Sequence, residues 1–94
     1  MNGIVENLEE SLEVLKVTKS QLDVQLEGPI SFKSSSKLVD YCINDCYELV
    51  LRFEEVKLII NLSEVYSYET KENMIQLSID GGNIFTIIKK ELNK

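Results

Sequence analysis

The run Ile75-Gln76-Leu77-Ser78-Ile79-Asp80-Gly81-Gly82-Asn83-Ile84-Phe85-Thr86-Ile87-Ile88-Lys89 decides the fold class. Ile75, Leu77 and Ile79 alternate with Gln76 and Ser78, the period of a strand with one buried face. Asp80-Gly81-Gly82-Asn83 follows, with glycines able to take the positive φ of a tight reversal, so the chain folds back as a hairpin. The return strand, 84–89, is apolar on both faces, Ile84 and Ile88 on one and Phe85 and Ile87 on the other. That pattern predicts a strand buried between layers or covered by an amino-terminal helix.

Upstream, the strand period continues. Tyr47, Leu49, Leu51 and Phe53 form one alternating set, and Val56, Leu58, Ile60 and Leu62 form the next, with Glu54-Glu55 between them. Residues 65–68 read as a shorter strand and 69–73 as a polar turn. The amino-terminal region has a different period. Ile4, Leu8, Leu12 and Leu15, spaced by four, four and three, share one side of an α-helix, and Glu6, Glu9, Glu10 and Glu13 fall elsewhere on its surface. Asn2 suits the N-cap, and Lys16 and Lys19 suit the negative end of the helix dipole.

Two stretches admit two readings. A 3-4-3-4 spacing from Val5 through Leu8, Leu12, Leu15, Lys19, Leu22 and Leu26 could extend the helix to Gly28-Pro29 as a coiled coil. However, Leu22, Val24 and Leu26 also alternate with polar residues, and a long helix would strand Val14, Val17 and Val24 in water. The preferred reading ends the helix near Lys19 and places a strand over 21–27. A short strand follows over 30–33, with Ser34-Ser35-Ser36 as a loop or helix N-terminus. For residues 37–45, the four-residue spacing of Leu38, Cys42 and Cys46 favours a short helix over a strand turning at Asn44-Asp45. The expected fold is α+β: an amino-terminal amphipathic helix packed on a mainly antiparallel sheet or small open barrel, ending in a β-hairpin. No linker or repeat divides residues 1–94, so one domain is expected.

Composition narrows the function. The 94 residues carry 10 Lys+Arg against 16 Asp+Glu, a net charge of −6, with 44% hydrophobic residues. Disorder is excluded by the apolar content, and an acidic surface opposes direct binding to nucleic acid. No apolar run approaches a bilayer span and the first residues are polar, so a cytoplasmic protein without membrane contact is expected. There is no histidine, which removes the commonest general base and the Ser-His and Cys-His pairs. Cys42 and Cys46 alone offer neither a disulfide framework nor a zinc site, and they read as small buried thiols. Ser34-x-x-Lys37 matches a serine–lysine catalytic pair in four residues only, and a loop or cap accounts for it. Glu54-Glu55 read as a solvated turn, and Asn61-Leu62-Ser63 has the form of a glycosylation acceptor without other secretory signals. No catalytic residue, metal or cofactor is expected.

Two features have a functional reading. Glu6, Glu9, Glu10 and Glu13 lie within about two helical turns and make a compact negative surface, which would suit a basic partner protein. Tyr66 and Tyr68 share a strand face by period two and could anchor an interface. The expectation is a non-enzymatic protein-interaction module such as an inhibitor, adaptor, immunity protein or antitoxin, which covers a partner that can itself be a basic nucleic-acid-binding enzyme. One alternative is a small-ligand binder or minimal enzyme, with a site at the sheet mouth or a subunit interface using Tyr41, Tyr47, Tyr66 or Tyr68. Another is a homodimer or higher homo-oligomer assembled through helix 1.

Overall fold

A computed structural model describes residues 3–29 and 31–90. The helix α1 spans Gly3–Thr18, and the strands are β1 Leu22–Glu27, β2 Phe32–Ser36, β3 Leu38–Ile43, β4 Glu48–Phe53, β5 Lys57–Asn61, β6 Val65–Lys71, β7 Met74–Ile79 and β8 Asn83–Lys89, with a 3-10 turn at Leu62–Glu64. Asn2, expected as the N-cap, and Ile30, expected to begin a strand, lie outside the described residues.

Helix α1 forms where its leucines recur. Leu8, Leu12 and Leu15 are buried, each worth about 1.5–3 kcal/mol when removed from water. It stops because Lys19 takes a positive φ of 54°, and its N–H donates to the Lys16 carbonyl at 3.2 Å. That left-handed exit closes the helix and rules out the long coiled-coil reading. Val14 and Val17 face solvent nonetheless, the latter 64% exposed.

The strands form two antiparallel sheets, one of five strands in the order β2-β1-β8-β7-β6 and one of three in the order β3-β4-β5. They do not close into a barrel. One continuous core lies between them, built from Leu22, Val24, Ile75, Leu77, Phe85 and Ile87 of the first sheet, Leu38, Leu49, Leu51, Phe53 and Ile60 of the second, and the helix leucines. The chain passes from β2 to β3 through Lys37 alone. Buried Ser36 makes this corner, its Oγ accepting from the Glu54 N–H at 3.2 Å while the same N–H reaches the Lys37 carbonyl at 3.2 Å. Helix α1 packs on β3 and β6, one edge strand of each sheet.

The structure corrects several expectations. Residues 38–43 are a strand, not a helix: Leu38 pairs with Phe53 and Tyr41 with Leu51, with a register shift between Leu38 and Asp40. That extra residue breaks the alternation, so that Leu38, Tyr41 and Ile43 turn inward while Cys42, four residues from Leu38, is exposed and the spacing of four marks no buried face. Ser34-Ser35-Ser36 belongs to β2, where Ser34 pairs with Val24. Residues 69–71 extend β6 through the expected turn. Cys42 and Cys46 are exposed free thiols, not buried ones, because Cys42 lies on a solvent-facing edge strand and Cys46 in the following turn.

Candidate protein-docking face

The face begins with the way α1 is clamped at both ends. Near its start, the Asn7 side-chain amide donates to Tyr68 Oη at 3.0 Å. At its far end, Lys16 Nζ lies 3.5 Å from Asp40 Oδ1 and 5.7 Å from the centre of the Tyr41 ring, while Arg52 Nη2 stands 3.7 Å from Asp40 Oδ2. The Tyr41 hydroxyl donates to Glu13 Oε1 at 2.8 Å, with the Glu9 carbonyl oxygen at 3.3 Å.

These contacts set the local titration. Burial pushes the Tyr41 hydroxyl up to about 12, reinforced by its bond to Glu13 and by the negative charges of Glu13, Glu9 and Asp40. The Tyr41 backbone N–H, followed by the charge of Lys16, holds the Asp40 carboxyl below its usual value. The contacts of Lys16 with Asp40 and of Tyr41 with Glu13 tie the helix to β3.

The expected acidic cluster is thereby divided. Glu13 is engaged with Tyr41, whereas Glu6, Glu9 and Glu10 are exposed, and among the described residues none of these three forms an ion pair. The tyrosines are also separated in role. In β6, Val65 pairs with Ile79 and Ser67 with Ser78, so Tyr66 is an extra residue that resets the alternation. Tyr68 turns to the helix, and Tyr66 remains 67% exposed. The face therefore consists of Glu6, Glu9 and Glu10, with Glu13 and Tyr68 holding the helix that presents them. Sequence reasoning missed Asp40, Tyr41 and Arg52 as the clamp, because the contact with Lys16 crosses 24 residues and that with Glu13 crosses 28.

A second concavity opens between β5 and the β1, β2 and β8 side of the larger sheet. It has a volume of about 550 Å³ and apolar walls that include Leu26, Phe32, Leu58 and Phe85, with Asn61, Glu64 and Asn83 as polar groups. Tyr41, Tyr47, Tyr66 and Tyr68, expected to furnish a ligand site, do not line it. Among the described residues no group of three His, Cys, Asp or Glu side chains is placed to hold a metal, and no helix is long and apolar enough to cross a membrane. No protein-family model, curated protein or solved structure matches the chain.

Proposed function

We propose that the chain is a non-enzymatic interaction module that docks through the acidic face of α1 onto a basic protein in the cytoplasm. The observation that carries this reading is the unneutralised triplet Glu6, Glu9 and Glu10 on a helix held at both ends by Asn7–Tyr68 and by Lys16–Asp40. A like-charged surface on a helix already packed in place needs little backbone ordering on binding and draws an oppositely charged partner by long-range attraction. Two exposed thiols fit a reducing compartment.

The test is capture from host cells with the wild-type chain and the triple variant Glu6→Gln/Glu9→Gln/Glu10→Gln side by side. The expected result is a basic partner held at low salt, released as salt rises, and bound by the variant with an association rate on the order of tenfold lower. Equal binding by a folded triple variant, or turnover of a substrate by the purified chain, overturns the reading. A second reading rests on the apolar groove of about 550 Å³: a small apolar ligand there would raise the melting temperature in a metabolite panel without any dependence on the three glutamates.

A further inference from the structure

Sheets that end in bare edges invite pairing, and folded proteins blunt such edges with bulges, charges or covering elements. The four edges of this molecule differ. Strand β3 has a register shift after Leu38 and packs against α1; β6 has one at Tyr66, also packs against α1, and carries Glu69 and Lys71. Strand β2 is polar, with Lys33 and three serines. Strand β5, Lys57-Leu58-Ile59-Ile60-Asn61, is apolar at its centre, keeps unbroken register with β4, pairs among the described residues with no strand on its other side, and opens on the groove.

The hydrogen-bond pattern fixes which groups of β5 are unused. The Phe53 N–H donates to the Val56 carbonyl at 2.8 Å and the Leu62 N–H to the Tyr47 carbonyl at 3.0 Å, so Val56, Leu58, Ile60 and Leu62 face β4. By alternation, the N–H and C=O groups of Lys57, Ile59 and Asn61 point outward. Ile59 is also 57% exposed. It stands opposite Val50, which stands opposite Cys42, making an apolar row across the outer face of the small sheet.

We infer that β5 pairs antiparallel with β5 of a second copy of this chain, about a two-fold axis at Ile59, joining the two small sheets into one. The register is self-complementary. Ile59 meets Ile59 of the second copy and extends the apolar row, Leu58 meets Ile60, and Lys57 meets Asn61, with no like charges opposed across the axis. Each outward residue exchanges backbone bonds with its counterpart. The charges beside the axis suit the same partner, although each copy carries a net charge of −6. Within the chain, Arg52 and Lys57 stand directly opposite each other, an unfavourable pairing. The two-fold brings Asn61 of the second copy, and beyond it the Glu48 with which Asn61 pairs, into that row. The acidic helices pack on β3, across the small sheet from β5, so they stay clear of the axis. A pairing of this length covers less than the ~800 Å² per partner of standard interfaces, so the dimer dissociates on dilution.

The test is sedimentation of the full chain from micromolar to millimolar concentration, with amide exchange followed over the same range. The wild-type mass rises toward that of a dimer, and the amides of Lys57 and Ile59 become protected as it does. Ile59→Lys, which sets two cations together at the axis, raises the dissociation constant by roughly tenfold or more. Ile59→Pro does the same by removing an N–H that the monomer does not use. A chain that stays monomeric throughout, an Ile59→Lys variant that associates as tightly as wild type, or concentration-dependent protection on another edge overturns the inference. The exchange measurement needs no variant, so it stands even if a substitution disturbs folding.

Discussion

Tyr41 shows how one residue can join two elements and make the joint sensitive to pH. Its hydroxyl titrates near 10 in an unfolded chain and at about 12 here. A raised folded-state value means that its contribution is complete below about pH 10 and is lost as the pH climbs through about 12. Tyr41→Phe is therefore expected to lower stability by ~1 kcal/mol at neutral pH, by loss of the bond to Glu13. The gap between wild type and variant should narrow above about pH 10, which urea unfolding at a series of pH values measures. Asp40 behaves in the opposite sense: its lowered value makes its contribution complete above the ordinary carboxylate range, and acidification removes it.

At the scale of elements, the turn between β1 and β2 depends on Gly28. Its φ is +157°, and a Cβ placed there would run into the Asn83 carboxamide and lie 3.2 Å from the Asn83 Cα. Asn83 also reaches the Asp80 carbonyl through Nδ2 at 3.4 Å, so one side chain fills the space between two turns. Gly28→Ala is expected to cost ~1–3 kcal/mol by thermal unfolding, and Gly28→Ala/Asn83→Ala to recover part of that loss. Elements whose burial follows a clean period were legible from the sequence. Leu8, Leu12 and Leu15 announce α1, and Ile75, Leu77 and the paired glycines announce the last hairpin. Strand β3 was not legible, because an edge strand with an irregular register buries Leu38 and then only partly covers Tyr41 and Ile43. Of the docking face, the glutamates were visible as a pattern, while the clamp of Lys16, Asp40 and Tyr41 depends on tertiary contacts that no local spacing encodes.

For the whole molecule, stability rests on the core between the two sheets and the helix. Leu77 is fully buried at its centre, so Leu77→Ala is expected to lower stability by ~2–5 kcal/mol, whereas Val17→Ala on the exposed side of α1 should change it by less than ~0.5 kcal/mol. Chemical denaturation of the two variants gives the comparison. The unequal result would also show that the outward valines contribute little to the monomer fold.

The position of β8 has a consequence for biosynthesis. This strand lies between β1 and β7, pairing Val24 with Ile87 on one side and Leu77 with Phe85 on the other. Although β2 follows β1 at once and pairs with one of its sides, the neighbour on the other side is synthesised only after the six strands β2–β7. Until then the nascent polypeptide carries an unsatisfied apolar ribbon, a state prone to aggregation and suited to chaperone capture. Cooperative folding thus waits for a late event, and a messenger cut short before β8 would yield a product destined for proteolysis rather than a smaller working version of the protein.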